Sequence, residues 1–211
     1  MSKFKNINLL TLAAGMGTRT IKRSIVPKPF QLVKGKAIIE WSLTSYQYLI
    51  NKQIIKPQNL YFVILKKHQI QFNVAKRLKK IFGPLIKIII LPKLTNGPAE
   101  TALIAAKKIN NNNPIIINDS DHYFNGNALY NAITKIKNSK NISGIINTTK
   151  TNSKKPVWSY VKKNKKGKLL GVKEKNLELA RKNAPGVIGS YFFSSTKLFI
   201  KSAKELIIKN R

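Results

Sequence analysis

Short apolar runs alternate with segments of helical periodicity over the first 120 residues of the chain. Runs rich in Ile, Leu and Val, each short enough for a strand, occupy residues 7–12, 60–65, 86–91 and 114–118. Segments with helical spacing or amphipathic character occupy residues 37–50, 68–82 and 99–109. Strands that are apolar on both faces and separated by helices indicate βαβ units, in which a parallel sheet is covered on both sides.

The pattern changes after about residue 140. Strand-like runs separated by turns follow at residues 142–149, 158–163, 168–173 and 187–193. A final helix is predicted over 195–209, with Ser195 or Thr196 as its N-cap. We therefore predict an α/β fold, a Rossmann-like three-layer domain with a predominantly parallel, mixed central sheet and helices on both faces.

Length and composition favour one folded domain. The 211 residues are 43% hydrophobic, which is enough for a sizeable core. No window approaches eighteen uninterrupted apolar residues, so we expect no membrane span, and the N-terminus does not resemble a cleavable signal peptide. The chain has no cysteine, which excludes disulfides and thiolate metal sites. We expect a cytoplasmic protein.

The charge is strongly positive, with 40 Lys and Arg residues against 7 Asp and Glu residues and a net charge of +33. The lysines are spread along the whole chain together with many Ile and Asn residues, which indicates a compositional bias and solvated faces. We do not expect nucleic acid as a partner, although a useful attraction to phosphates stays open. The scarcity of acids makes each carboxylate a candidate for chemistry that lysine cannot perform.

The first apolar run ends in the sequence LAAGMGTR at residues 12–19. Small residues at positions 13–15 and 17 let the backbone approach a ligand closely, and consecutive N–H groups can form an anion-binding concavity. Arg19 and Lys28 offer cations to phosphate oxygens. A tight βα turn with ordinary surface cations is the alternative. The GK[ST] ending of a Walker loop and the third glycine of a dinucleotide-binding loop are both absent.

A second candidate site is the sequence NDSDH at residues 118–122, which follows an apolar run. In an extended chain Asp119 and Asp121 point to the same face. Carboxylates suit Mg²⁺, which binds hard oxygens and bridges to substrate phosphates, so we predict Mg²⁺ as the cofactor. Loop-capping aspartates are the alternative. We interpret His122 as a neighbour or substrate contact rather than a ligand, because Mg²⁺ prefers oxygen.

Several motifs together resemble the signature of the sugar-phosphate nucleotidyltransferases. These are LAAGMGTR, PKPF, GKAIIEWSL, NGPAETALIAA, PIIINDSDHYF, the hairpin segment that ends in Glu174-Lys175, and GVIGSYFF. The resemblance covers essentially the whole chain and implies the fold of the nucleotide-diphospho-sugar transferases. It implies a single domain over residues 1–211, with a nucleotide-binding half at about 1–125 and a sugar-phosphate half at about 126–211.

The resemblance also implies roles for individual residues. Arg19 would grip the leaving pyrophosphate, and Lys28 would stabilise charge at the α-phosphate. Asp121 would bind the metal. The backbone contacts to the nucleotide would come from Leu12, Ala13, Ala14, Gly15, Gly17 and Gly97. The contacts to the sugar phosphate would come from Ser159, Glu174 and Lys175.

The sequence departs from the family pattern at the second metal carboxylate. The family supplies this group from a segment near the C-terminus, but the sequence has no aspartate after Asp121 and ends at Arg211. We therefore expect a domain shortened at its C-terminus. Either Asp119 substitutes, or the substrate phosphates hold most of the metal, or the activity is weak.

The resemblance implies transfer of a nucleoside monophosphate from a nucleoside triphosphate to a sugar 1-phosphate. Pyrophosphate would be released, and the nucleotide-sugar would serve the synthesis of capsule, lipopolysaccharide or other surface polysaccharide. Three alternatives stay open: a cytidylyltransferase for phosphocholine or another phosphorylated small molecule, a D-x-D glycosyltransferase, and a non-catalytic nucleotide-binding module. Homo-oligomer formation also stays open.

Overall fold

The computed structural model describes residues 4–17, 26–136, 142–165 and 167–209. The chain divides into two compact units, Met1–Ile145 with Tyr191–Arg211, and Ile146–Ser190. The first unit contains the predicted glycine loop and both aspartates, and the second contains the predicted hairpin. The division into halves near residue 125 remains a prediction.

Strands and helices alternate along the described residues. The strands are β1 (Asn8–Leu12), β2 (Leu32–Val33), β3 (Lys36–Ala37), β4 (Leu60–Leu65), β5 (Lys87–Leu91), β6 (Ile115–Asp119), β7 (Gly144–Thr149), β8 (Ser159–Lys163), β9 (Leu169–Glu174) and β10 (Gly186–Phe193). The α-helices are α1 (Ile38–Thr44), α2 (Gln47–Asn51), α3 (Lys66–Phe72), α4 (Val74–Phe82), α5 (Pro98–Ala106), α6 (Gly126–Ile136), α7 (Leu177–Arg181) and α8 (Thr196–Lys209).

Four parallel strands of the first unit lie in the spatial order β5-β4-β1-β6. They coincide within one residue with the four apolar runs of the first half of the sequence, so these strand predictions are confirmed. All six residues of β4 are buried, as expected for a strand covered on both faces. In the β1–β6 register Leu12 is opposite Asp119, so the segments that follow these strands emerge at the same edge of the sheet.

Helices cover both faces of this sheet. Leu9 of β1 belongs to an apolar cluster that includes residues of α1, α2, α4 and α6. The next residue, Leu10, belongs to a second cluster that includes residues of α5 and α8. Successive strand residues point to opposite faces, so the two clusters lie on opposite sides of the sheet. The predicted three-layer α/β architecture is confirmed, with a mixed, mostly parallel sheet.

Two predicted helices are each divided in two. The segment 37–50 forms α1 and α2, and the segment 68–82 forms α3 and α4. Asn73 separates α3 from α4 in a left-handed conformation with φ of 47°, which asparagine tolerates better than most residues. Helix α6 was not predicted from the sequence. At the C-terminus Ser195 is the N-cap of α8, because its Oγ accepts a hydrogen bond from the backbone N–H of Leu198 at 3.1 Å.

The second unit is built on an antiparallel hairpin. Strands β8 and β9 pair from Ser159 opposite Glu174 to Lys163 opposite Leu169. Tyr160 of β8 is opposite Gly186, which begins β10. The short helix α7 follows β9, and Asn176 caps it by accepting a hydrogen bond from the backbone N–H of Leu179. None of the described helices is long and apolar enough to cross a membrane.

Candidate functional site

A cavity of about 320 Å³ lies in the first unit where β1 and β6 end. Eight residues singled out in the sequence line it: Leu12, Ala14, Gly15, Gly17, Lys28, Gly97, Asp119 and Asp121. Parallel α/β sheets bind ligands at the carboxyl ends of their strands, so this is the expected edge. Ala13 is buried beside the cavity, with its backbone N–H bonded to the carbonyl of Val63. Arg19 lies outside the described residues.

The glycine loop lets a ligand approach the backbone. Ala13 and Ala14 are only 4% and 3% exposed, so the loop is anchored where it leaves β1. A Cβ atom built on Gly15 would meet no protein atom within 4 Å, so the space above this residue is open. Gly17 has a left-handed φ of 63°, a conformation that favours glycine. The loop therefore presents backbone rather than side chains to the cavity.

Gly97 forms another part of the cavity wall and is the N-cap of α5. Neighbouring side chains hold the backbone here: the Oγ1 of Thr95 donates to the carbonyl of Gly97 at 3.1 Å and contacts the Oγ1 of Thr101. The carboxylate of Glu100 accepts the backbone N–H of Asn96 at 2.8 Å, a structural role that suits the N-terminus of a helix. A Cβ atom on Gly97 would also meet no protein atom within 4 Å.

Lys28 and Asp121 form an ion pair at the cavity. Lys28 begins a short 3₁₀ turn between Pro27 and Pro29, which fixes its backbone, and its Nζ donates to the Oδ2 of Asp121. The Nδ1 of His122 lies 3.1 Å from the Oδ1 of Asp121. The hydrogen bond from His122, together with the Lys28 ammonium, holds the pKa of Asp121 well below its usual range. The same bond raises the pKa of His122.

The second carboxylate behaves in the opposite way. Burial and the nearby negative charge of Asp121 raise the pKa of Asp119 to about 6. Ligand atoms of Asp119, Asp121 and His122 all lie within 4.8 Å of one another. Donors around an ion with bonds of about 2.1 Å lie about 3–4 Å apart, so this group fits one divalent cation after small side-chain adjustments. A cation would also relieve the repulsion between the two carboxylates.

A buried polar network holds the end of β6 in place. The hydroxyl of Tyr46 donates to the Oδ1 of Asn118 at 2.7 Å, and the Nδ2 of Asn118 donates to the Oγ of Ser42 at 3.1 Å. Ser42 in turn donates to the backbone carbonyl of Asp119 at 3.0 Å. Because buried polar groups are costly to leave unpaired, this network fixes the point at which the two aspartates leave the sheet.

The three predicted sugar-phosphate residues lie in the second unit. Ser159 and Glu174 are directly opposite each other in the β8–β9 ladder. Lys175 follows β9 with a left-handed φ of 47°, and its backbone N–H donates to the carbonyl of Trp158. Its Nζ lies 3.8 Å from the Oε1 of Glu174, and both side chains are exposed. Ser159, Glu174 and Lys175 are thus neighbours at one end of the hairpin.

Six further residues line the cavity but were not singled out in the sequence: Pro29, Leu94, Thr95, Pro98, Thr101 and Ser120. Proline, serine and threonine are common on protein surfaces and leucine is common in cores, so these residue types alone give no signal of a site. Their nearness in the sequence to Lys28, Gly97 or the aspartates is the signal from which they could have been predicted.

The fold and the cavity together define an α/β protein whose glycine loop, lysine and carboxylates converge at the carboxyl end of a parallel sheet. The family model described as Nucleotidyl transferase matches residues 9–209, and the chain belongs to this family.

Solved structures support the same fold. A nucleoside-diphosphate-sugar pyrophosphorylase from Vibrio cholerae is 17% identical with a TM-score of 0.69, over 94% of this chain and 78% of that one. An inositol-1-phosphate CTP transferase from T. maritima is 15% identical with a TM-score of 0.72, over 94% and 74%. A 4-diphosphocytidyl-2C-methyl-D-erythritol synthase from Anaerococcus prevotii is 14% identical with a TM-score of 0.61, over 97% and 77%. No sequence among the curated proteins matches this chain.

Proposed function

We propose that the protein transfers a nucleoside monophosphate from a nucleoside triphosphate to a sugar 1-phosphate and releases pyrophosphate. The observation that carries this proposal is the convergence of the glycine loop, Gly97, Lys28 and two aspartates on one cavity. The substrates are cytoplasmic metabolites, so we place the reaction in the cytoplasm. The nucleotide-sugar would be a precursor of surface polysaccharide.

In this proposal the nucleotide lies in the cavity of the first unit. The backbone of residues 12–17 faces the phosphates, and the open backbone at Gly97 faces the nucleobase. Lys28 neutralises charge at the α-phosphate, and Arg19 binds the departing pyrophosphate. Preorganised cations of this kind stabilise the charge that develops in phosphoryl and nucleotidyl transfer.

The chemical step needs no protein nucleophile. A phosphate oxygen of the acceptor attacks the α-phosphorus in line and forms a new P–O bond. The bond from the α-phosphorus to the bridging oxygen breaks, and pyrophosphate leaves with that electron pair. The protein brings two polyanions together in a fixed orientation, which removes much of the entropic part of the barrier.

The aspartates would hold a divalent cation, for which the sequence predicts Mg²⁺. Such a cation, when bound, supplies neutralisation of the triphosphate and polarisation of the α-phosphate. Asp119 and Asp121 suit this role because they lie close together and their negative charges repel each other, a repulsion that a cation would relieve. Lys28 would then share Asp121 with the cation or leave it for the nucleotide.

We assign the acceptor to the second unit in this proposal. The carboxylate of Glu174 would accept hydrogen bonds from sugar hydroxyls, and the exposed ammonium of Lys175 would pair with the sugar phosphate. Ser159, opposite Glu174 in the ladder, would line the same place. The fixed left-handed backbone at Lys175 supports a directed role for this pair, because such a conformation costs free energy in a residue other than glycine.

A second candidate is nucleotidyl transfer to another phosphorylated small molecule. We keep this candidate because the fold is similar to that of an inositol-1-phosphate CTP transferase and of a 4-diphosphocytidyl-2C-methyl-D-erythritol synthase. The two candidates share the nucleotide cavity and differ in the acceptor.

Pyrophosphate release separates these candidates from the others. The protein is incubated with each of the four common ribonucleoside triphosphates, a divalent cation and a panel of phosphorylated acceptors. We expect pyrophosphate only when a matched triphosphate and acceptor are both present. A sugar 1-phosphate as the sole productive acceptor supports the first candidate, and another acceptor supports the second. If the folded protein releases pyrophosphate with none of the pairs of triphosphate and acceptor, both candidates are rejected.

A further inference from the structure

We infer that His122 is a direct metal ligand together with Asp119 and Asp121, and that this mixed site prefers a transition-metal cation such as Mn²⁺ over Mg²⁺. The inference rests on the proposed function, because that function gives the metal its purpose. Its test measures metal binding alone and does not depend on that function. The inference also replaces the interpretation of His122 drawn from the sequence, where oxygen ligands alone were expected.

The supply of carboxylates is the first observation. Among the described residues only two acids, Asp119 and Asp121, line the cavity. Other glutamates have structural partners: Glu40 accepts the backbone N–H of Ala37 at 2.9 Å, Glu100 accepts that of Asn96, and Glu178 pairs with Lys182 at 2.6 Å. A third protein ligand from the described part of the chain must therefore come from another residue type.

The position of His122 is the second observation. Its Nδ1 lies 3.1 Å from the Oδ1 of Asp121. Neighbouring ligands of a six-coordinate ion, with bonds of about 2.1 Å at right angles, are about 3 Å apart. The spacing therefore fits two adjacent ligands of one ion as well as it fits the hydrogen bond, and a bound metal would replace the proton between Nδ1 and Oδ1. One carboxylate oxygen of Asp119 lies within 4.8 Å of a ligand atom of Asp121 and of a ligand atom of His122.

The state of Asp119 is the third observation. Asp119 lines the cavity, and its carboxylate takes part in no hydrogen bond or ion pair with any of the described residues, so one of its oxygens can bind a cation. Asp121, in contrast, already receives the Lys28 ammonium at Oδ2. Asp119, Asp121 and His122 thus form a three-donor set.

The donor chemistry sets the preference. Mg²⁺ takes oxygen ligands almost exclusively, whereas Mn²⁺ shares its liking for carboxylates but, as a transition metal, also accepts an imidazole nitrogen, and the later first-row divalent metals bind imidazole still better. A site with two carboxylates and one imidazole still accepts Mg²⁺ through its oxygens and water. It gains a further bond with a metal that binds nitrogen.

The test is Mn²⁺ binding to the full chain without triphosphate or acceptor. The electron paramagnetic resonance signal of free Mn²⁺ measures how much Mn²⁺ is bound. We expect one Mn²⁺ site, from which Mg²⁺ displaces Mn²⁺ only at an excess of about tenfold or more. His122→Ala should weaken Mn²⁺ binding by about 10–100-fold and should leave Mg²⁺ binding nearly unchanged. Binding of Mg²⁺ as tight as that of Mn²⁺ would overturn the inference.

A spectroscopic readout distinguishes a ligand from a residue that only orients Asp121. Electron spin echo modulation of bound Mn²⁺ should show a coupled nitrogen, which disappears in His122→Ala. His68→Gln, which alters the only other histidine of the sequence, is the matched control and should keep the nitrogen signal. Absence of nitrogen modulation in the wild-type protein would overturn the inference. Mn²⁺ binding without nucleotidyl transfer would instead count against the proposed function alone.

Discussion

At the scale of single residues, the ion pair links Lys28, which we propose for the α-phosphate, to Asp121, which we propose for the metal. The lysine is held by the prolines on either side, and its ammonium is directed toward Asp121, the carboxylate that we propose for the metal. The Lys28 ammonium can neutralise the α-phosphate only if it exchanges the carboxylate of Asp121 for the phosphate. The pair therefore keeps Lys28 positioned for a phosphate.

Lys28→Ala should lower nucleotidyl transfer by about 100-fold or more, because a preorganised cation is removed from the developing charge. The fold should survive, since Lys28 contributes no apolar side chain to the core. Acceptor-dependent pyrophosphate release and a thermal melt measure the two effects. Lys79→Ala on the exposed face of α4 is the control for loss of one positive charge. Near-equal turnover of the two variants would contradict the role of Lys28.

Asp119→Asn should stabilise the protein and abolish tight metal binding. Because the pKa of Asp119 is raised from 3.8 to about 6, the fold loses stability as pH rises between these values, and the full cost of the ionised form is present above about pH 6. Removal of the charge should raise the free energy of unfolding by about 2 kcal/mol near neutral pH. Thermal melts near neutral pH and near pH 4 check this, since the gain should shrink in acid, where Asp119 is protonated.

Asp121→Asn is the matched comparison with the opposite sign. The pKa of Asp121 is lowered, so its ionised form stabilises the fold at neutral pH and this contribution is lost in acid. We expect Asp121→Asn to lower Tm near neutral pH. A loss of stability in Asp119→Asn of the same size would show that the two carboxylates do not have the opposed environments described here.

At the scale of elements, the start of α5 and the end of β6 bring the site together. Leu12 and Asp119 are opposite each other in the β1–β6 ladder, so strand register alone sets the glycine loop beside the aspartates. The hydrogen bonds of Thr95, Thr101 and Glu100 hold the backbone around Gly97. Substitutions that keep these elements intact should therefore affect ligands rather than folding.

Gly97→Ser should weaken triphosphate binding by about tenfold or more, because its side chain would enter the open space of the cavity. Serine is favoured at a helix N-cap, so Tm should change by only about 2 °C. Calorimetric titration with the triphosphate that supports turnover measures the affinity. Gly171→Ser in β9, where a Cβ also meets open space, should bind normally. Equal affinities in the two variants would remove Gly97 from the nucleotide site.

The elements were predictable to different extents. Continuous runs of Ile, Leu and Val specify buried parallel strands, so β1, β4, β5 and β6 follow directly from the sequence. The break between α3 and α4 depends on the backbone of Asn73, and an asparagine inside an amphipathic segment does not by itself predict a break. The glycine loop was predicted as part of a site because its small residues expose backbone close in sequence to Arg19 and Lys28, and the aspartates were predicted because acids are scarce in this chain. Thr95 and Thr101 were not, because only tertiary contacts bring them there.

At the scale of the whole molecule, the net charge of +33 is a long-range attraction for any polyanion. The lysines are spread along the sequence rather than gathered in one segment. Such a distribution attracts phosphates without selecting among them. The cavity, in contrast, offers a defined set of groups to one ligand, and we expect the two kinds of binding to respond differently to salt.

Duplex DNA should bind weakly and without sequence preference, and its affinity should fall by about 10³-fold or more between about 50 and 200 mM salt. Triphosphate binding should fall much less, because in our proposal it uses few cations and many backbone contacts. Fluorescence anisotropy of labelled duplex and labelled triphosphate at the two salt concentrations compares them. Tight, sequence-selective duplex binding at the higher salt would mean that nucleic acid is a specific partner after all.

The transfer of label from the triphosphate tests the central claim most directly. The protein, a divalent cation and the productive acceptor are incubated with triphosphate labelled either at the α-phosphorus or at the γ-phosphorus. We predict that the α label appears in the acceptor product and the γ label in pyrophosphate, and that Lys28→Ala does neither at a comparable rate. Appearance of the γ label in the acceptor or in inorganic phosphate would contradict nucleotidyl transfer at this cavity.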